Sequence, residues 1–314
     1  MSISQTGEFE LISRVIARLG SPGPAVLLGP GDDAALVAAS NGRVVASTDV
    51  LVEGRHFRRD WAEAIDIGRR AAAANMADIA AMGGTATALL VGLCIPPNVT
   101  AGWVEQLAEG LAAEASLVGA SVVGGDMTAS PTLTIAVTAL GDMQGVAPVL
   151  RKGARPGDVV ALAGRTGFAA AGYTVLSRGF RTPKILVDAY RKPDVPYAYG
   201  PAAARAGATS MIDVSDGLLG DLGHLCTASQ VGIDVQKEAF LVPEQMRDAA
   251  LALGVDPYQW LLAGGDDHAL AATFPPDKPL PSGWRVIGRV AQGSDVTVDG
   301  QPWAGPPGWD HFKV

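Results

Sequence analysis

The stretch Ile79–Val104, IAAMGGTATALLVGLCIPPNVTAGWV, carries no charged residue and is long enough to cross a bilayer. Its interior decides the fold class. Gly83-Gly84, Thr85, Thr87 and Pro96-Pro97 interrupt it, whereas a spanning helix needs unbroken internal hydrogen bonding. The segment therefore reads as the end of one helix, a turn, and a buried strand over Ala88–Ile95. An Ala-rich helix over Ala62–Met82 leads into it. That succession predicts a soluble protein of mixed helices and strands, with no membrane span.

The pattern continues on both sides. Towards the N-terminus, Phe9, Ile12, Val15, Ile16 and Leu19 have helical spacing, and Gly20-Ser21-Pro22-Gly23 ends that helix. Val26–Leu28 reads as a short strand, and Ala34–Ala38 with Val44–Thr48 as a hairpin turning at Asn41-Gly42. Towards the C-terminus follow a helix over Thr100–Leu117, a short strand Ser121–Val123 and a long strand Thr132–Gly141. Gly145, Pro148, Arg151, Lys152, Gly153, Arg155 and Pro156 mark a change in composition. The expected domains are 1–146 and 147–314.

The second half reads as a strand (Asp158–Ala163), a glycine-flanked loop (Gly164-Arg165-Thr166-Gly167) and a helix (Phe168–Ser177). A Pro-rich linker (Pro183–Pro201), a helix, and the strand Ser210–Val214 come next. A helix over Leu218–Ser229, a strand at Gly232–Val235 and a helix over Pro243–Leu253 precede three strands, His268–Phe274, Trp284–Val290 and Val296–Val298. Strands and helices alternate loosely, so the expected class is α/β (α+β): two domains, each a mixed β-sheet covered by helices. The edges of Thr132–Leu140 and of the hairpin Ala34–Thr48 need covering, which predicts a homodimer through the first half.

Bulk properties narrow the function. Of 314 residues, 48% are hydrophobic and 18% charged, which supports a large core and excludes wholesale disorder. The formal net charge of −8 argues against nucleic acid and anionic membranes as partners. Cys94 and Cys226 are the only cysteines, so neither a disulfide framework nor a Cys-rich zinc site is expected. Met1-Ser2-Ile3-Ser4-Gln5 lacks a basic, then apolar, leader, and the expected compartment is the cytoplasm.

The informative residues are aspartates at the ends of apolar elements. They stand in Gly29-Pro30-Gly31-Asp32-Asp33, Ser47-Thr48-Asp49, Asn75-Met76-Ala77-Asp78, Gly124-Gly125-Asp126, Ile212-Asp213-Val214-Ser215-Asp216-Gly217 and Gly264-Gly265-Asp266-Asp267. Ligands gather at such ends. Hard oxygen donors without His or Cys select Mg²⁺ or Ca²⁺, and Mg²⁺ completes its shell with water and substrate phosphates. Phosphoryl transfer follows as the expected chemistry. For any one group, helix capping or turn formation explains the Asp equally well. Asp32, Asp221 and Asp267 read as caps or solvated residues. Six groups with the same placement favour the metal reading.

Competing motifs fail. No Gly-x-x-x-x-Gly-Lys-[Ser/Thr], His-Glu-x-x-His or Gly-x-Ser-x-Gly occurs. Gly29-x-Gly31-x-x-Ala34 fits a loose dinucleotide fingerprint, but it leads into a strand, and Asp32 and Asp33 would meet the pyrophosphate. Arg55-His56-Phe57-Arg58-Arg59 is either a solvated loop or a phosphate anchor. Arg151 and Lys152 either reach nucleotide phosphates or are ordinary linker charges.

Taken together, Gly31-Asp32-Asp33-Ala34-Ala35, Ser47-Thr48-Asp49, Gly54-Arg55-His56-Phe57, Asn75-Met76-Ala77-Asp78, Gly124-Gly125-Asp126, Ile212–Leu218 and Gly264-Gly265-Asp266-Asp267 resemble the thiamine-monophosphate kinases. These belong to the superfamily of aminoimidazole ribonucleotide synthetase and selenophosphate synthetase. The resemblance runs from Gly7 to Phe312. It implies two domains: 1–146 for ATP, Mg²⁺ and dimerisation, and 147–314 completing the substrate site. It implies several Mg²⁺ ions on Asp33, Ser47, Thr48, Asp49, Asp78, Asp126, Asp213 and Asp216. ATP would touch Gly125, Asp126, Arg151 and Ser215, and thiamine monophosphate His56, Asp266 and Trp309. The family usually has Glu where Asp266 stands. The implied reaction moves the γ-phosphoryl group of ATP to thiamine monophosphate, with no catalytic residue apart from the metal ligands. Two alternatives stay open: a related ATP-dependent synthetase of the superfamily, and a non-catalytic nucleotide- or metal-binding protein.

Overall fold

The computed structural model describes residues 8–30 and 34–309. The chain divides into two compact units: Met1–Ile79 with Gly84–Gly145, and Ala80–Gly83 with Val146–Val314.

The first unit runs α1 (Glu8–Ile16), β1 (Val26–Leu28), β2 (Leu36–Val37), β3 (Val45–Val52), α2 (Ala64–Ala81), β4 (Thr85–Ile95), α3 (Ala101–Ser116), β5 (Ser121–Ala129) and β6 (Thr134–Asp142). Its main sheet has the order β3-β6-β4-β5. β6 is antiparallel to both neighbours and β4 is parallel to β5, so the sheet is mixed. In β6 the odd residues Ile135, Val137 and Ala139 are fully buried, while the even residues are half-buried. That period of two puts one face of the sheet on the core. Leu89 and Leu93 of β4 share the core, and a buried Leu or Ile contributes about 1.5–3 kcal/mol. Glycines let α2 and α3 close up. A Cβ on Gly110 of α3 would lie 2.1 Å from the Ile65 carbonyl oxygen of α2. Thr100 caps α3, its hydroxyl accepting from the Trp103 N–H.

Several expectations need correction here. The hairpin does not form. Asn41-Gly42 does turn the chain, with Gly42 at φ +69. But β2 pairs with β1, and β3 pairs along its whole length with β6. The turn signal is local, whereas an eight-residue partner is decided by the rest of the sheet. β6 is an inner strand with both edges paired, so its edges give no reason for dimerisation. β5 does not stop at Val123 but continues through Gly124-Gly125-Asp126 to Ala129, held by parallel pairing to β4.

The second unit runs β7 (Val159–Ala163), α4 (Phe168–Ser177), α5 (Lys184–Arg191), α6 (Tyr199–Ala206), β8 (Ser210–Val214), α7 (Leu218–Ser229), β9 (Gly232–Val235), α8 (Glu244–Leu253), α9 (Pro257–Ala263), β10 (Ala269–Phe274), β11 (Trp284–Ala291), β12 (Val296–Val298) and β13 (Gln301–Pro302), with a 3₁₀ turn at Lys237–Ala239. Its sheet has the order β13-β12-β9-β11-β7-β10-β8, and it too is mixed, because β12 runs parallel to β9. Every residue of β8 and β10 is buried. A strand covered on both faces carries apolar residues without alternation, as Met211-Ile212 and Ala269–Ala272 do, and the buried polar residues among them are paired, Ser210 with Thr273 and Asp213 with His268. The supposed Pro-rich linker contains α5. α9 was not expected, although Asp256 caps it and Pro257 opens it.

Candidate active site

β3 is an edge strand, and its alternation separates the three residues Ser47-Thr48-Asp49. Ser47 and Asp49 look towards α2. The Ser47 hydroxyl donates to Asp78 Oδ2 at 2.5 Å, and the Asp49 N–H donates to Asn75 Oδ1 at 2.8 Å. Asn75 and Asp78 lie three residues apart, on one face of α2. Asn75 is fully buried, and its Nδ2 donates to the Ala71 carbonyl at 3.0 Å, so both ends of its amide are engaged. It satisfies a main-chain donor on the sheet edge. Thr48 lies on the other face, its hydroxyl donating to the Val137 carbonyl and accepting from Thr138.

His56 follows β3 in a turn where the Val52 N–H donates to its Nδ1 at 2.9 Å. A neutral ring therefore carries its hydrogen on Nε2. The neighbouring arginines are engaged: Arg58 makes a forked bond to Asp60, and Arg59 meets Glu53 at 2.6 Å. That pairing weakens the reading of this loop as a bare phosphate anchor.

Asp126 is not brought to Asp49. Asp49 pairs in register with Val137, Val137 with Val91, and Val91 with Gly125. Three inter-strand spacings amount to roughly 14 Å. Asp126 is exposed on β5, in register with Gly92. At Gly125 a Cβ would sit 2.0 Å from the Val91 carbonyl oxygen, so only glycine fits there. Asp33 lies outside the described residues.

In the second unit, main-chain bonds draw distant segments together. The Asp266 N–H donates to the Ser215 carbonyl at 2.8 Å, the Trp309 N–H to the Asp216 carbonyl at 2.8 Å, and the His268 N–H to the Val214 carbonyl at 3.1 Å. Ser215, Asp216, Asp266 and Trp309 therefore assemble at the end of β8. Trp309 is 57% exposed. Asp213, the fourth residue of β8, is buried, and its Oδ2 lies 3.1 Å from His268 Nδ1. Asp266 and His268 adopt φ of +70 and +51, uncommon for residues other than glycine. Arg151 is exposed, and its carbonyl accepts from the Ser229 hydroxyl at 3.1 Å.

Two further acids close the local structure. Asp221 Oδ2 accepts from the Asp216 and Gly217 N–H groups at 3.1 Å each, which caps α7 from within. Burial, then the charges of Asp213 and Asp216, push its carboxyl up to about 7. Asp267 Oδ1 accepts from the Ala169 N–H at 3.1 Å and caps α4. Burial pushes it up to about 7 as well. Both acids cap helices, one of the two readings the sequence allowed.

Asn75 and His268 escaped the sequence reading. Asn75 stood three residues before Asp78, a helical spacing that marks a shared face. His268 stood directly after Asp266-Asp267 at the head of a predicted strand.

The donors suit a hard divalent cation. They are oxygens, and Asp221, raised first by burial and then by the charges of Asp213 and Asp216, marks a place where a cation would relieve repulsion. Among the described residues no three His, Cys, Asp or Glu side chains form a group that would hold an ion unaided. Mg²⁺ needs fewer: it takes one or two carboxylates and completes its shell with water and phosphate oxygens.

Comparison with known proteins places these features in a class. Residues 31–143 match the family AIR synthase related protein, N-terminal domain, and residues 155–276 match its C-terminal domain. A thiamine-monophosphate kinase of Mycobacterium tuberculosis is 48% identical over 313 residues, covering 99% of this chain and 93% of that one. The crystal structure of thiamine-monophosphate kinase from Stenotrophomonas maltophilia superposes with a TM-score of 0.78 at 32% identity, covering 96% of this chain and 98% of that one. AaThiL complexed with AMPPCP and TMP superposes with a TM-score of 0.81 at 30% identity, covering 99% of each. The chain belongs to the thiamine-monophosphate kinase family.

Proposed function

We propose that this enzyme transfers the γ-phosphoryl group of ATP directly, in line, to the phosphate of thiamine monophosphate, forming thiamine diphosphate and ADP. The observation that carries the reading is kinship along the whole chain with thiamine-monophosphate kinases, one of them solved with an ATP analogue and TMP. The chemistry agrees with the residues. The acceptor is a phosphate oxygen with a second pKa of about 6, largely ionised at neutral pH. No general base is then needed. The obstacle is electrostatic, since two polyanions must approach in line.

Asp33, Ser47, Thr48, Asp49, Asp78, Asp126, Asp213 and Asp216 would hold Mg²⁺, which when bound supplies positive charge to both phosphates. Asp78 holds the Ser47 hydroxyl, and Asn75 holds the main-chain N–H of Asp49. Thr48, whose side chain faces the other way, would contribute through its main chain. Gly125, Asp126, Arg151 and Ser215 are the proposed nucleotide contacts. His56, Asp266 and Trp309 are the proposed contacts to thiamine monophosphate. With Nδ1 occupied by Val52, His56 offers its substrate Nε2.

Residues 1–146 form the proposed nucleotide, metal and dimer domain, and 147–314 the proposed substrate domain. The homodimer belongs to the same proposal. Its support is the four-stranded sheet's outer face, where Val50 is 49% exposed and Leu90 39% exposed, an apolar surface a second copy would cover. A cytoplasmic setting rests on cysteine usage, Cys94 and Cys226 being free thiols. No helix among the described residues is long and apolar enough to cross a membrane.

A coupled ADP-release assay tests the function. ADP release in the presence of Mg²⁺ should depend on thiamine monophosphate. ADP release at the same rate without it would contradict the proposal.

A further inference from the structure

Three of the acids at the end of β8 are held differently. Asp221 is held by main-chain N–H groups, and Asp216 and Asp266 sit in segments tied by main-chain bonds. Asp213 has a side-chain partner: its Oδ2 lies 3.1 Å from His268 Nδ1, with side chains 6% and 8% exposed.

We propose that His268 is a positioning residue for Asp213, fixing which oxygen of that carboxylate is offered to a divalent cation; this rests on the reading of Asp213 as a metal ligand. The backbone places the ring. Leu270 stands in register with Asp213 and Ala269 with Val214, so His268 enters β10 directly beside β8. Its N–H donates to the Val214 carbonyl, and its φ is +51. A left-handed backbone is unfavourable for a residue other than glycine, and such strain persists at sites where the surroundings demand it. With hydrogen on Nδ1, the ring donates to Oδ2 and occupies that oxygen. Oδ1 is left as the ligand atom, which makes Asp213 a one-oxygen ligand of fixed orientation. Hydrogen-bonding partners behind a metal ligand commonly account for about 10–100-fold in metal affinity. The same bond satisfies an acceptor that burial would otherwise leave costly.

The test separates the donor from the bulk of the ring. In His268→Asn the side-chain nitrogen falls where Nδ1 was, and Asn tolerates positive φ. In His268→Gln the nitrogen falls near Nε2, and the donor at Nδ1 is lost. Mn²⁺ binding to the full chain with a non-hydrolysable ATP analogue is read by electron paramagnetic resonance of the free ion. Thermal melting accompanies each variant, and Asp213→Asn serves as reference. Mn²⁺ affinity should fall about 10–100-fold in His268→Gln and Asp213→Asn, and stay within about three-fold of the parent in His268→Asn. KM for Mg²⁺ should rise in His268→Gln with kcat recovered at saturating Mg²⁺. Parent-like Mn²⁺ affinity in His268→Gln, with loss in Asp213→Asn, would overturn the positioning role and leave the metal reading intact. No loss in Asp213→Asn would overturn the metal reading itself. Equal losses in the Asn and Gln variants, each with a lowered melting temperature, would make His268 merely structural. If His268→Gln does not fold, His268→Ala with added imidazole replaces it. Imidazole should restore Mn²⁺ affinity, and its failure to do so would equally overturn the proposal.

Discussion

The two units hold their acids by different means. In the first, Ser47, Asp49, Asn75 and Asp78 are fastened by side chains, a hydroxyl to a carboxylate and an amide to an edge-strand N–H. In the second, Ser215, Asp216, Asp266 and Trp309 are fastened by their own main chain, and Asp221 and Asp267 are deeply buried caps. The first arrangement leaves Asp49 and Asp78 half-buried, with Asp78 bound to the Ser47 hydroxyl. The second fixes positions tightly and raises two pKa values through burial. Within the first unit the proposed ligands are thus held by side-chain bonds, and within the second by the main chain.

Substitutions can break this contrast. The largest effect should come from removing charge: Asp49→Asn and Asp126→Asn should each lower kcat by about 10²-fold or more, with unchanged circular dichroism. Near-normal turnover in both would undo the role given to the acids. Next is Asp266→Glu, which restores the carboxylate reach usual in the family. A hydrogen bond to a charged group is worth roughly 1.5–3 kcal/mol, so KM for thiamine monophosphate should fall about ten-fold, with KM for ATP little changed. A higher KM would mean that the pocket has adapted to the shorter side chain at φ +70.

Asn75→Leu probes the side-chain fastening of the first unit. It strands the Asp49 N–H and should lower unfolding free energy by about 1–3 kcal/mol in urea titrations. A variant as stable as the parent would show that water serves as well. A further effect concerns pH. Asp267 in the fold is raised from 3.8 to about 7. The folded chain therefore keeps a proton that the unfolded chain releases, so this group's contribution to stability declines as pH rises from about 4 to about 7, then levels off. Asp267→Asn should flatten part of that decline, read as urea midpoints at about pH 5 and about pH 8. An unchanged slope would assign the decline to other groups.

Much of this was legible in the sequence, and the gaps have causes. The mixed sheets and their helices follow from runs such as Ala88–Ile95 and Val159–Ala163, whose apolar length leaves little choice. The hairpin at Asn41-Gly42 misled because a turn dictates only its own residues. β3 instead matched β6, some ninety positions away. β5 was cut short because Gly124-Gly125-Asp126 has poor strand propensity, which pairing with β4 overrides. The acids were legible as residues but not as neighbours. That Asp49 stands beside Asn75 while Asp126 lies roughly 14 Å across the sheet depends on strand order, which no spacing in the sequence encodes. His268 was hidden for the same reason: Asp213 lies on a strand brought next to it by the sheet alone.

Direct phosphoryl transfer between two phosphates can be followed by phosphorus-31 magnetic resonance of the reacting mixture without coupling enzymes. With the full chain, Mg²⁺, ATP and thiamine monophosphate, the thiamine monophosphate singlet should disappear and two coupled thiamine diphosphate resonances should grow, one product per ADP. ATP cleavage to ADP and inorganic phosphate, or to AMP, with the thiamine monophosphate signal unchanged, would contradict it.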